Sequence, residues 1–321
     1  MACYSAAMGD VLRNTFQWSV SRDRTFRECP RQYWYNYYGF WGGWSFDANE
    51  KEREIYVLKQ LKSRSTWMGE VVHDCIKHSI ENLSRGIPVL PLERILAITR
   101  NRMRNDFRVS RDFIYRDNPK TACGLFEHEY RVPVTDEEWR ECANHVDRCL
   151  VTFYSSRVWE QLVQTRPGDF LEIERFSSFV LDGANVTVKL DCATRETDHV
   201  IVWDWKTGRR ESQDAELQLA CYAFYVHQAY GVPIHGIRMR RFELSGGNVH
   251  ERVIAERGLS EILDYLRGSI ADMQSLLDDP ERNLAEEHRF LKNERREVCS
   301  RCNFVKACSP SIGVEGLWRR A

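Results

Sequence analysis

The chain has 321 residues, with 43% hydrophobic and 12% aromatic residues and a formal net charge of −1 from 46 basic and 47 acidic side chains. That is ample material for a buried core, and no apolar run approaches the roughly 18–20 residues that span a bilayer, so no membrane-spanning helix is expected. The near-zero charge excludes no partner, because phosphate binding depends on local patches.

The opening "MACYSAAMGDVLRNTFQWSV" lacks the basic-then-apolar pattern of a signal peptide. A cytoplasmic protein is expected, with its eleven cysteines reduced and some of them ligands. Residues 20–38 read as helical and rich in aromatics, with Pro30 at a break or first-turn position. Residues 67–84, 91–109 and 135–164 carry apolar positions at helical intervals, and 116–124 reads as a loop. From Phe170 onward "FLEIERFSSFVL", "NVTVKLDC" and "HVIVWDWK" read as strands, with a hairpin signal at Asp182-Gly183. A helix over roughly 213–230 precedes strands "GIRMRRFEL" and "VHERVIAE", and a helix over roughly 259–278 follows. The pattern predicts an α/β protein: a mixed sheet flanked by helices.

The chemistry concentrates in "VTVKLDCATRETDHVIVWDWKTGRR". Asp191 ends one expected strand, and Asp204 and Lys206 end the next. Alternation puts Asp204 and Lys206 on one face and Trp205 on the other. Hairpin pairing of the two strands would bring Asp191 beside Asp204. Two carboxylates and an ammonium suit a Mg²⁺ or Mn²⁺ site for phosphodiester hydrolysis. The bland reading is a salt-bridged surface turn; against it, the charges are embedded in apolar strand sequence, where unpaired charge is costly. His73, on an expected helix, is either a further metal ligand or structural. Gln218 and Tyr222 lie four apart on one helix face. Near the C-terminus Cys299, Cys302 and Cys308 look like metal ligands, although thiolate sites usually take four.

The order of motifs resembles the RecB-like branch of the PD-(D/E)XK nucleases. It comprises Cys29 in "RTFRECPRQYWYNYYG", His73 in "GEVVH", Asp191, Asp204-Trp205-Lys206-Thr207-Gly208, Gln218-x3-Tyr222 and C-x2-C-x5-C. Four-cysteine members include the CRISPR adaptation nuclease, the AddB nuclease subunit and exonuclease V. The resemblance covers about 19–310 and is strongest over 170–230 and 299–308. It implies a restriction-endonuclease-like fold in one domain, 1–310, followed by a tail, 311–321. Within it lie an N-terminal helical region (19–66), a helical region with an insertion (67–169), a catalytic sheet (170–257) and a C-terminal helix with cysteines (258–310).

The resemblance further implies that His73, Asp191, Asp204 and the Trp205 backbone carbonyl hold the metal. Lys206 would be the catalytic lysine, Gln218 and Tyr222 would support the site and DNA contact, and Glu174 would be a supporting carboxylate. Cys29, Cys299, Cys302 and Cys308 would hold a 4Fe–4S cluster, with zinc as the runner-up, joining the two ends of the chain. Three departures stand out: Val188 where the family has glycine, Cys192 where arginine is common, and a long segment between His73 and Asp191 that favours a helical insertion. Arg209, Arg210 and Arg31 are the candidate DNA contacts, and a further basic group spans Arg100 to Arg111. The implied activity is a DNA exonuclease on single-stranded ends, in repair, recombination or CRISPR and phage defence. The alternative is a DNA-binding or scaffold subunit of a helicase–nuclease or CRISPR complex. With no G-x4-G-K-[ST] motif in the sequence, unwinding would need a helicase partner.

Overall fold

A computed structural model describes residues 13–208, 214–254, 256–293 and 295–308. Helix α1 (Val20–Glu28) starts at Ser19, whose hydroxyl accepts from the Arg22 N–H, and ends at extended Cys29. Pro30 then opens α2 (Pro30–Trp34), where a missing N–H costs nothing, and a π-helical turn follows over Tyr35–Gly39. Helix α3 (Glu50–Lys59), which the periodicity did not separate, is capped by Asn49. The helical layer continues with α4 (Arg64–Ser84), α5 (Leu92–Arg111), the short α6 (Phe126–Glu129) and α7 (Asp136–Tyr154). The expected single helix over 135–164 is two: Ser156 accepts from the Trp159 N–H and starts α8 (Arg157–Gln164) as a new element.

The expected strand runs are also divided. "FLEIERFSSFVL" breaks at Glu174 into β1 (Phe170–Ile173) and β2 (Phe176–Leu181). "NVTVKLDC" breaks at Leu190-Asp191, between β3 (Ala184–Lys189) and β4 (Cys192–Glu196). Strands β2 and β3 form a two-stranded hairpin whose turn, Asp182-Gly183, has φ of +47° and +85°, as a two-residue hairpin loop requires.

Strand β5 (His199–Lys206), helix α9 (Ala215–Tyr230), β6 (Ile237–Glu243), β7 (Asn248–Val253) and α10 (Glu256–Ser275) follow. Short α11 (Arg296–Cys299) and α12 (Val305–Cys308) carry the last cysteines. The main sheet runs β1-β4-β5-β6-β7. It is antiparallel except for β5 beside β6. Ile201, Trp203 and Trp205 pack under the α4/α5/α7/α8 layer, while Val200 and Val202 pack under α9 and α10. This mixed sheet covered by helices on both faces is the expected architecture. A third apolar cluster joins Tyr35, Leu58 and Phe126 to Cys302 and Phe304, linking an early and a late segment of the chain to α6. No described helix is long and apolar enough to cross a membrane.

Inside the N-terminal region Lys59 lies over the Phe40 ring, 3.2 Å from its centre, and donates to the Asn36 carbonyl at 2.6 Å. Burial, reinforced by Arg22, pushes its pKa from 10.5 down to about 7. The unfolded chain therefore binds more protons between those pH values, and stability rises with pH across that window. The difference in melting temperature between Lys59→Met and the wild type should shift in the wild type's favour from pH 7 to pH 10. Circular dichroism melts at the two pH values check this; a constant difference would refute it.

Candidate active site

Alternation along β5 turns Asp204 and Lys206 toward α9, and Trp203 and Trp205 the other way onto Phe153 and Phe242. The register pairs Cys192 with Trp203, which places Asp191 across from Asp204, as the hairpin expectation required. Asp191 Oδ2 accepts from the Trp205 N–H at 2.6 Å, and its Oδ1 lies 3.3 Å from His73 Nδ1. The Trp205 backbone thus meets the site through its N–H.

Glu174 reaches the same point by a different route. Its φ of +48° is a left-handed conformation that costs an L-residue roughly 1–2 kcal/mol. Its backbone N–H donates to the Asp191 carbonyl at 3.1 Å. The turn aims its carboxylate at His73 Nδ1, 2.8 Å away, and at Lys189 Nζ, 2.5 Å away. His73 Nδ1 or Nε2 and one oxygen each from Glu174 and Asp191 lie within 4.8 Å of one another. Glu174, read from sequence as a supporting carboxylate, stands in this cluster, while Asp204 instead holds Lys206 Nζ at 2.7 Å. Lys189 was missed altogether. Its signal was the alternation "KLD", which places a second cation two residues before Asp191 along extended chain.

The electrostatics follow from burial. Asp191, Asp204 and Glu174 are all buried. Burial disfavours charge on Asp191, but His73, Lys206 and the Trp205 N–H outweigh it and hold the carboxyl below its usual range. Asp204 goes the other way, pushed up by burial and by Asp191 against the pull of Lys206. Burial also opposes charging of His73, yet Asp191 and Glu174 together raise it to about 10. Tyr222 is held well above 10 by burial and the two aspartates, so it stays neutral and donates. It donates to the Lys189 carbonyl at 2.9 Å and accepts from Gln218 Nε2 at 2.6 Å. The predicted pair therefore braces the end of β3, two residues before Asp191.

The donor set fits a hard divalent cation: two carboxylates and an imidazole at one point, with cationic side chains holding the acids in place. A cavity of about 190 Å³ opens onto Asp204 and Lys206, edged by Arg241, His250, Arg252 and Glu243; His250 lies 3.6 Å from Glu243 and Arg252 3.6 Å from Glu216. Arg209 and Arg210 lie outside the described residues, as does the 311–321 tail. Arg31, expected at DNA, points inward: Nε donates to the Phe290 carbonyl at 2.8 Å and Nη1 pairs with Glu287 at 2.7 Å. A guanidinium committed to two partners within the fold is a strut between the N- and C-terminal regions. The neighbouring Tyr33 and Tyr35 are likewise buried.

Burial pushes the Cys302 thiol up, and so do Cys29, Cys308 and Cys299, the other three expected cluster ligands. Backbone N–H groups point at two of the sulfurs: Gln32 at Cys29 and Phe304 at Cys302, each at 3.4 Å. Cys123, Cys142, Cys149, Cys192 and Cys221 are instead buried in the two main cores.

No curated protein matches the chain significantly. A family profile, that of the PD-(D/E)XK nuclease superfamily, matches residues 17–309. That span runs from just before α1 to just past Cys308 and takes in the sheet, the carboxylate cluster and the lysine. On it, the chain belongs to the PD-(D/E)XK nuclease superfamily.

Proposed function

We propose that this superfamily member is a metal-dependent deoxyribonuclease that digests single-stranded DNA from an end, acting in the cytoplasm in repair or defence. The observation that carries the reading is the meeting of His73, Glu174 and Asp191 beside the Asp204–Lys206 pair. A Mg²⁺ or Mn²⁺ ion held there would neutralise phosphate charge and acidify a water molecule. His73, Glu174 and Asp191 would hold it, with Asp204 as a nearby oxygen donor and the Trp205 N–H holding Asp191 in place.

The chain's own groups do the rest. Asp204 fixes the Lys206 ammonium at the end of β5, where it orients a water or steadies a phosphate oxygen. Gln218 and Tyr222 hold the turn that carries Asp191. Arg241 and Arg252 would steer the DNA backbone along the cavity. Cys29, Cys299, Cys302 and Cys308 would hold a 4Fe–4S cluster. Its one-plus-three spacing supports that choice over zinc, which a Cys₄ set also suits. Such a cluster would clasp the chain ends and leave the chemistry to the sheet. With no ATPase motif in the sequence, duplex unwinding would fall to a helicase or CRISPR-associated partner. The scaffold-subunit reading is disfavoured by the intact Asp204–Lys206 pair.

Labelled single-stranded DNA with Mn²⁺ tests this. Lys206→Ala should cut at least on the order of 10²-fold more slowly than the wild type. Equal rates would remove Lys206 from the mechanism, and no cleavage by either protein would overturn the nuclease reading.

A further inference from the structure

A second feature lies away from the carboxylate cluster, in the helical insertion. Helices α4, α5 and α7 leave a groove of about 1030 Å³ between them. Its wall is aromatic: half-buried Phe107 from α5 and Trp139 from α7 face it, with Trp67 from α4 buried behind them. The Phe107 and Trp139 rings meet edge-to-face with centres 5.1 Å apart, and Trp67 stands 6.4 Å from Trp139.

The rim is cationic. Arg104 and Arg108 on α5 and Arg140 on α7 are exposed. None has a carboxylate partner among the described residues; Arg104 and Arg108 touch only the side-chain oxygens of Asn101 and Asn105. The one acid in the lining, Asp147, is already neutralised by Arg100 at 2.7 Å. Spare positive charge beside ring surface calls for a ligand that is anionic along one edge and planar along the other.

We infer that this groove is a second binding site for nucleic acid, taking unpaired nucleotides with bases against the half-buried Phe107 and Trp139 rings and phosphates on Arg104, Arg108 and Arg140. Arg104 and Arg108 are one helical turn apart, about 6 Å along the axis, a step comparable to that between successive phosphates of an extended strand. A duplex does not fit the chemistry, because its bases stack on each other and cannot reach the aromatic wall. The groove and the cluster share α4. Trp67 and His73 are six residues apart, about 9 Å along the helix and about 240° around it, so the two sites open on different faces of one rod. The inference rests on the nuclease reading for its choice of polymer.

The test uses the full chain carrying Lys206→Ala, in EDTA, so that cleavage plays no part. Fluorescein-labelled oligothymidylate is titrated and followed by anisotropy over a range of salt. Adding Arg104→Ala, Arg108→Ala and Arg140→Ala together should weaken binding by roughly tenfold or more and lower the salt slope by about 2. Unchanged affinity and slope would overturn the inference. A second readout needs no change in the groove: an oligonucleotide bearing 5-iododeoxyuridine should photo-crosslink to peptides containing Phe107 or Trp139. Crosslinks confined to other segments would count against the site, as would an acidic helical peptide binding the groove when the oligonucleotide does not. Groove binding without metal-dependent cleavage by the unsubstituted chain would overturn the nuclease reading alone; cleavage with no effect of the three arginines would overturn the groove alone.

Discussion

Asp191→Asn is expected to lower metal-dependent cleavage by about 10³-fold or more while leaving the fold in place. The amide keeps an oxygen that can still accept from the Trp205 N–H, now 2.6 Å from Oδ2, so β4 and β5 remain pinned. What disappears is the charge at the point where three donor side chains converge. A neutral amide is a poor ligand for a hard cation, and the charge that balances His73 and Lys206 goes with it. Cleavage rates and Mn²⁺ binding, the latter by electron paramagnetic resonance, should fall together. A variant with normal Mn²⁺ affinity and near-normal rates would remove Asp191 from the metal site.

Cys302→Ser is expected to remove iron and the visible colour and to lower the melting temperature on the order of 10 °C. Linking Cys29 to Cys302 closes a loop of more than 270 residues, a constraint that removes about 5 kcal/mol of unfolded-chain entropy. For a domain this large each kcal/mol moves the midpoint by about 2–4 °C. Cys302 is buried against Phe304 and Val305 in the cluster that also contains Tyr35 and Leu58, so loosening it frees both ends. Iron and sulfide analysis after anaerobic purification, with thermal melts, decides the matter. A colourless wild type holding zinc would reject the iron–sulfur assignment, and an unchanged midpoint would reject the clasp.

What the sequence showed depended on whether local rules governed the position. The Gln218–Tyr222 pair was legible because helical spacing sets which side chains share a face, and the two do hydrogen-bond. Asp204 and Lys206 were legible through strand alternation, and Asp182-Gly183 through the left-handed turn it needs. Glu174 was named as a supporting carboxylate, but its kink was not foreseen, because it is a left-handed non-glycine residue inside an apolar run, held by the Asp191 carbonyl. That is a tertiary constraint, which propensity does not record. Arg31 failed for the same reason: clustering shows where arginines are in sequence, while Glu287, its partner at 2.7 Å, lies 256 residues away. The split at Ser155-Ser156 was visible in principle, since a serine three residues before Trp159 is a start signal, but the continuous apolar period on either side masked it.

Glu174 and Asp191 also mark where the chain leaves the main sheet and where it returns, with the β2–β3 hairpin as everything between. That hairpin is a tongue whose root is the carboxylate pair. Its tip is gripped from α10, where Arg267 holds Asp182 at 2.7 Å, and its β3 side is bridged by Trp18 just before α1. Because the Glu174 N–H is bonded to the Asp191 carbonyl, a pull on the tongue reaches both acids at once. The backbones of the two acids are thereby tied to each other, while His73, which meets both carboxylates, reaches them from a separate helix.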